Sequence, residues 1–176
     1  MFKGAKKFNQ ALNFDTSSVT SMKDMFRDAV KFDQPLTFDT SSVKSMEGMF
    51  RGAKKFNWAL HFDTSSVKSM KDMFRDAKTL NEPLDFDLSS IESMEAMFKG
   101  TRALSDPTKE LMSCAWGGNP VFDGAYGPSV TSESWDACST PSQPPSAPPL
   151  PPPPSPSPPP PSPPPSASPP PPPPED

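Results

Sequence analysis

The sequence predicts a repeat solenoid, a stack of short coils, closed by a C-terminal cap and followed by a disordered polyproline II tail. Three observations support this fold class: a 24-residue period, an apolar pattern suited to a short strand plus a short helix in each period, and a proline-rich C-terminus. We expect the solenoid over residues 1–104, the cap over residues 105–138 and the tail over residues 139–176.

The 24-residue period is visible in several apolar columns. These columns include Leu12, Leu36, Leu60, Leu84; Phe14, Phe38, Phe62, Phe86; Val19, Val43, Val67, Ile91; and Met22, Met46, Met70, Met94. A longer period is superimposed, because residues 1–24 match residues 49–72 at 20 of 24 positions and match residues 25–48 less closely. We call 1–24 and 49–72 the odd copies, and 25–48 and 73–96 the even copies.

Each copy contains a pattern that predicts local structure. An i, i+3, i+4, i+7 spacing, which places side chains on one face of a short helix, is shared by Met22, Met25, Phe26 and Ala29. Leu12 and Phe14 alternate with Asn13, which favours a brief strand with Asn13 outward.

Two further signals separate these elements and argue against a four-helix bundle. The segment that starts at Asp15 reads Asp-Thr-Ser-Ser and predicts a turn in which the Asp carboxylate accepts backbone N–H groups. These turns, with Pro35 and Pro83, interrupt the chain too often for helices of ten or more residues. Stacking at about 4.8 Å would instead merge the apolar edges of the copies into one core.

The copy at residues 49–72, MFRGAKKFNWALHFDTSSVKSMKD, resembles the repeat of BspA-like leucine-rich-repeat surface proteins, particularly the form found in mycoplasma surface lipoproteins. The matching elements are Met49-Phe50, Gly52-Ala53, Phe56-Asn57, Asp63-Thr64-Ser65, Val67 and Met70. The resemblance covers residues 1 to about 104 and implies a leucine-rich-repeat-like solenoid in a cell-surface adhesion or recognition protein. Phe14 and its equivalents stand where that family usually has Trp, a substitution that keeps a buried aromatic ring.

The segment after Leu104 differs from the repeats and suggests a cap. We expect a helix from Thr108 to about Trp116, whose apolar residues would cover the last layer of the stack. The covering side chains are expected to be Leu111, Met112, Trp116 and Phe122.

Charge and hydropathy exclude several classes of function. Residues 1–110 carry all 17 basic residues and a net charge of +1, whereas the remainder carries −5, so the chain has no footprint for nucleic acid. No apolar run approaches the roughly 20 residues that span a bilayer, and the first residues are too polar for a signal peptide. Met1-Phe2 aligns with Met25-Phe26, so we expect the sequence to be N-terminally truncated, which makes the missing signal uninformative.

Residues that could support catalysis or metal binding are sparse. One histidine, His61, and two cysteines, Cys114 and Cys138, predict no enzyme, no cofactor and no zinc site. The cysteines fit one disulfide or two free thiols, and we expect the disulfide if the protein is secreted. The recurring aspartates at Asp15, Asp39, Asp63 and Asp87 could hold calcium, but capping of the turns is the favoured role.

Strand alternation predicts a ligand-binding face. If the apolar columns point inward, the residues between them point outward and vary between copies; these are Asn13, Thr37, His61 and Asp85. Trp58 occupies a column that otherwise holds Gln10, Gln34 and Glu82, and aromatic residues are enriched at binding hot spots. The alternative recognition surface lies along Lys44, Lys68 and Lys71.

The C-terminal tail leaves two function classes open. It holds 23 of the 28 prolines and is expected to be a stiff spacer similar to hydroxyproline-rich stalks of plant and algal wall proteins. The first hypothesis is an extracellular module that binds a protein or a surface glycan. The second is a cytoplasmic scaffold whose prolines recruit profilin or SH3 domains. We also expect self-association through the uncovered first copy, which exposes Phe2, Phe8, Leu12 and Phe14.

Overall fold

The computed structural model describes residues 1–126. Within this range two helices are present, α1 at Asp106–Trp116 and α2 at Pro120–Tyr126, and no strand is assigned. Residues 127–138 of the expected cap, including Cys138, and the whole expected tail lie outside the described residues. Neither helix is long and apolar enough to cross a membrane.

The helix expected in each copy is wrong, because the chain forms successive turns there. The amide of Met25 donates to the carbonyl of Met22, and the amide of Ala29 donates to that of Phe26, which closes two four-residue turns. The third residue of each turn has a positive φ, +57° at both Asp24 and Asp28, a value that a right-handed helix excludes. The strand expected at Leu12–Phe14 is also absent from residues 1–126.

Consecutive copies are joined by backbone hydrogen bonds in parallel register. Each turn donates to the equivalent turn of the next copy: Met22 N–H donates to Ser45 C=O at 2.9 Å, and Phe26 N–H donates to Met49 C=O at 2.8 Å. Isolated parallel bridges link Ser21 to Ser45 and continue through Ser69 to Ser93. The copies therefore meet with a constant offset of 24 residues, as the period predicts.

The core between the copies is built from stacked aromatic rings and methionines. The rings of Phe26, Phe50 and Phe74 follow one another at centroid distances of 5.5 Å with nearly parallel planes. All three side chains are fully buried. Stacked aromatic pairs add to the free energy gained from burying their area, so this column stabilises both the core and the register of the copies.

The odd and even copies differ because their turns interlock. Gly52 in an odd copy lies under Asp28 of the preceding even copy, and a Cβ on Gly52 would collide with the Asp28 carboxylate. Gly100 lies under Asp76 in the same way, and a Cβ on Gly100 would come within 2.5 Å of Asp76 Oδ1. Aspartate in one copy thus stands against glycine in the next at these positions, whereas Ala96 follows Asp72 at the same spacing, so the interlock contributes to the 48-residue period without being required at every turn.

The end of the stack is closed by α1 and α2. Trp116 Nε1 donates to the carbonyl of Phe86 at 3.0 Å, and Asn119 Nδ2 donates to that of Leu88 at 3.1 Å. The helix begins close to its predicted start, with Ser105 as its N-cap. Met112, Trp116 and Phe122 are buried as expected, but Leu111 is 53% exposed because it lies on the outer face of α1.

Candidate ligand-binding face

The variable residues of the apolar-polar segment all lie at the surface. Asn13, Thr37, His61 and Asp85 are exposed in the four copies. The residues beside them are buried in the inner copies, as Leu60 and Phe62 show at 1% and 7% exposure. In the inner copies, inward and outward residues therefore alternate along this segment although it is not a regular strand.

Trp58 lies near His61 in the sequence and is the largest exposed side chain of its copy. It is 43% exposed, so about half of the indole is covered by the protein. The equivalent positions in the other copies hold Gln10, Gln34 and Glu82, which are exposed or half-buried. The indole thus adds apolar surface to a column that is otherwise polar.

Hydrogen bonds to the neighbouring copy hold the backbone beside Trp58. The side-chain oxygen of Asn57 accepts the amide of Asn81 at 2.7 Å, and Asn81 in turn accepts the amide of Ser105 at 2.8 Å. Thr79 Oγ1 donates to the carbonyl of Lys54 at 3.0 Å. These bonds tie the segment that precedes Trp58 to the next copy. Nothing in the sequence pattern pointed to this asparagine column.

The repeated aspartates cap turns, as the sequence predicts. Oδ1 of Asp39 accepts the hydroxyl of Ser41 at 2.7 Å and its amide at 3.0 Å. These bonds stabilise the ionised carboxylate and lower the pKa of Asp39, against a smaller raising effect of Asp15 and Asp63 in the adjacent copies. In residues 1–126, no group of three His, Cys, Asp or Glu side chains is placed to hold a metal ion.

The alternative lysine surface contains ion pairs between copies. Lys68 Nζ lies 2.8 Å from Glu92, and Lys71 Nζ lies 2.6 Å from Glu95. These carboxylates raise the pKa of both lysines, chiefly through the hydrogen bond. Two of the three lysines on this surface are thus already paired, which makes it less available to an anionic ligand than the sequence suggests.

A polar groove of about 330 Å³ was not anticipated from the sequence. Four cationic and two acidic side chains line it together with Gly52; they are Arg27, Arg51, Lys54, Lys78, Asp28 and Asp76. Arg27 and Arg51 both face carboxylates, at 3.3 Å from Asp24 and 3.5 Å from Asp72 respectively. The signal in the sequence was a basic residue before the Gly or Asp of one turn in every copy, at Lys3, Arg27, Arg51, Arg75 and Lys99.

The expected disulfide stays a prediction. Cys114 lies on the exposed side of α1, and Cys138 lies outside the described residues. Self-association through the first copy also stays a prediction.

The stacked 24-residue copies define a repeat protein, and comparison with known families gives its family. A family model described as "Mycoplasma protein of unknown function, DUF285" matches residues 1–61 and 36–117. These ranges together cover more than half of the chain, which therefore belongs to this family. No curated protein and no solved structure matches the chain.

Proposed function

We propose that the protein is a non-enzymatic extracellular recognition module, a leucine-rich-repeat-like solenoid displayed on a proline-rich spacer. Membership of the Mycoplasma family supports a repeat-type surface protein, and the motif at residues 49–72 is similar to BspA-like surface repeats. The ligand of the proposed module is a protein or a surface glycan.

The observation that carries the proposal is the contrast between a buried leucine column that does not change and the exposed column beside it, which differs in every copy. Leu36, Leu60 and Leu84 keep the same residue and are buried. Beside them, Thr37, His61 and Asp85 differ in size, charge and hydrogen-bonding capacity, and all are exposed. Variation at these outward positions changes the surface presented without changing the leucine packing beside them.

Trp58 and His61 form the proposed centre of this face. The indole of Trp58 is 43% exposed, so it offers apolar surface that a ligand can cover. Tryptophan is also enriched among residues that dominate binding energy. The hydrogen bond from the Asn81 amide ties the side chain of Asn57, the residue before Trp58, to the next copy.

The proposal is tested by binding of the purified full chain to arrays of immobilised extracellular-matrix proteins and of surface glycans. Replacing Trp58 and His61 with alanine should weaken the strongest interaction by about tenfold or more. The matched control replaces Gln34 and Thr37, the equivalent positions one copy earlier, and should change binding less. Thermal unfolding of both double variants should stay near that of the parent, because all four side chains lie at or near the surface.

Two results would contradict this function. One is the absence of binding to either array. The other is a Trp58→Ala/His61→Ala variant that unfolds at lower temperature but binds as before, which would make this face structural.

The runner-up is an intracellular scaffold, favoured by the run of six prolines at residues 169–174. Such runs adopt polyproline II, the conformation that aromatic-lined grooves of proline-binding domains recognise. Immobilised profilin and a panel of SH3 domains would test it, with free polyproline peptide as competitor. Micromolar binding that the peptide abolishes, together with no signal on the extracellular arrays, would favour the scaffold.

A further inference from the structure

The residues that line the polar groove come from three consecutive copies of the stack. The middle copy contributes Gly52, where the two neighbouring copies have Asp28 and Asp76, so no side chain at this position fills the space. The volume of about 330 Å³ lies within the roughly 300–1,000 Å³ that is typical of small-ligand sites. A ligand that fills the groove therefore contacts several copies at once.

Two lysines of the groove, Lys54 and Lys78, carry charges that the protein does not neutralise. Both are exposed, and neither makes an ion pair with a carboxylate in the described part of the chain. Elsewhere in the stack a lysine meets a carboxylate of the next copy, as Lys68 does with Glu92 at 2.8 Å. Rings of adjacent copies stack at 5.5 Å, so lysines in equivalent positions of two such copies repel each other. An anion bound to Lys54 and Lys78 together would remove this repulsion.

The two arginines of the groove are held by carboxylates and keep donors for a ligand. Arg27 Nη1 lies 3.3 Å from Asp24, and Arg51 Nη1 lies 3.5 Å from Asp72. Each arginine side chain is 31% exposed. A guanidinium has five N–H donors, so one contact with a carboxylate leaves others available. The arginines thus add positioned donors to the charge that the lysines supply.

The acidic residues Asp28 and Asp76 restrict the kind of anion that fits. Both side chains are 55% exposed. An ionised carboxylate only accepts hydrogen bonds, so it repels a phosphate but accepts the hydroxyl group of a sugar. None of the described lining residues is aromatic, so the bases of a nucleic acid have no ring to stack on. Cations and acceptors side by side therefore fit a ligand that carries both anionic groups and hydroxyl donors.

We propose that the polar groove is a second binding site, which takes an acidic saccharide. Its sulfate or carboxylate groups contact Lys54 and Lys78, and its hydroxyl groups donate to Asp28 and Asp76. The whole chain carries a net charge of −4, so a general attraction for polyanions does not account for such binding. None of the lining residues belongs to the proposed ligand-binding face, so this site goes beyond that face and does not depend on it.

Calorimetric titration of the full chain with short oligosaccharides measures the binding. Oligosaccharides of dextran sulfate carry sulfate as their anionic group, and oligogalacturonates carry carboxylate, so the two probes distinguish the sources of negative charge. Unmodified dextran oligosaccharides are the uncharged control. At least one acidic probe should bind, its dissociation constant should rise with salt, and dextran should not bind.

Lys54→Gln with Lys78→Gln should weaken binding of the acidic probe by about tenfold or more, because two charge-assisted contacts are lost. The matched control is Lys44→Gln with Lys68→Gln. These two lysines are also exposed, occupy equivalent positions in adjacent copies and change the net charge equally. The control should weaken binding by less than about threefold, because only the charge of the whole chain changes.

Asp28→Gly with Asp76→Gly tests the acceptors by the sign of the change. Glycine suits the positive φ of both residues, +57° and +60°, and already stands at this position as Gly52. The substitutions make the groove more positive, so charge alone would tighten binding, whereas loss of the acceptors should weaken saccharide binding by about fivefold. Inorganic polyphosphate, which has no sugar hydroxyls, should bind this variant at least as tightly as it binds the parent.

Three results would overturn the proposal: no binding of either acidic oligosaccharide, equal losses in the lysine variant and its control, or tighter saccharide binding by the glycine variant. Polyphosphate that binds the parent more tightly than both saccharides would instead assign the groove to phosphate. Trp58→Ala with His61→Ala should bind the acidic probe as the parent does. Loss of binding in that variant would place the saccharide on the proposed ligand-binding face and contradict a separate site.

Discussion

The carboxylate of Asp28 occupies the space into which a side chain on Gly52 would point. The two residues are 24 positions apart and lie in adjacent copies, at the third position of equivalent turns whose φ values are +57° and +69°. Both conformations are left-handed, which glycine adopts freely and aspartate adopts at modest cost. A side chain at position 52 is therefore disfavoured while aspartate occupies position 28.

Gly52→Ala should lower the free energy of unfolding by about 2–4 kcal/mol, since it combines a left-handed conformation with a collision against Asp28. Gly118→Ala is the control, because its φ is +83° but nothing lies within 4 Å of a Cβ there. It should cost only about 1 kcal/mol. Urea unfolding measures both, and equal losses would show that the collision has no energetic weight.

Asp28→Gly should partly rescue Gly52→Ala. Removing the carboxylate opens the space that the alanine methyl group needs, so the double variant should be more stable than the sum of the single changes by about 1 kcal/mol or more. The ion pair between Arg27 and Asp28, at 3.7 Å and with the Asp28 side chain 55% exposed, contributes little to offset this gain. Strict additivity in a double-mutant cycle would argue against the interlock.

Thr40→Val should destabilise the stack through one lost hydrogen bond. Thr40 is 1% exposed and its hydroxyl donates to the carbonyl of Asp63 in the next copy at 3.0 Å. Valine has a similar shape, so the loss is mainly that of a bond to a part-buried acceptor, about 1–2 kcal/mol. The exposed Thr20 provides the control, and Thr20→Val should leave the urea midpoint nearly unchanged.

Much of the stacking was predictable because it depends on spacing alone. The 24-residue period gives the offset of the hydrogen bonds between copies, and the apolar-polar alternation gives the inward and outward residues of the inner copies, as around His61. The turn caps were also predictable, since each aspartate bonds to a serine only two residues away. Local contacts and a fixed period can be predicted without knowing which distant parts of the chain lie together.

The stacked turns give the same apolar spacing as a helix, so the sequence pattern predicts a helix where the chain forms turns. Met22 and Met25 are the ends of one turn, and Phe26 and Ala29 are the ends of the next, which imitates an i, i+3, i+4, i+7 stripe. The discriminating signal was the recurrence of Asp or Gly at the third position of these turns, where φ is positive; Ala96 is the exception among them. The interlock itself could not be inferred, because it depends on a contact between copies.

Tyr126→Phe should loosen the cap without unpacking it. The Tyr126 hydroxyl accepts the amide of Phe98 at 3.0 Å and lies 3.4 Å from the carbonyl of Met94. Loss of the hydroxyl should cost about 1–2 kcal/mol and speed hydrogen exchange at the Phe98 amide. Unchanged exchange at this amide would mean that the bond does not hold α2 to the last copy.

The turn aspartates should make the stack less stable in acid. Backbone and side-chain donors on Ser17, Ser41, Ser65 and Ser89 lower the pKa values of Asp15, Asp39, Asp63 and Asp87 in the folded state. A carboxyl group with a depressed folded pKa contributes stability above its unfolded pKa of about 3.9, and that contribution is lost as the pH falls through the folded pKa. Thermal midpoints should therefore decline below about pH 4.

Asp39→Asn and Asp63→Asn, made together, should flatten this acid decline. An asparagine oxygen can still accept the Ser41 and Ser65 amides, so the turns should persist, but the side chains no longer titrate. Ser41→Ala with Ser65→Ala is the matched comparison: it removes the hydroxyl donors and keeps the amides, so part of the pH dependence should remain. Midpoints recorded from pH 2 to pH 6 would reject the assignment if the double asparagine variant declined as steeply as the parent.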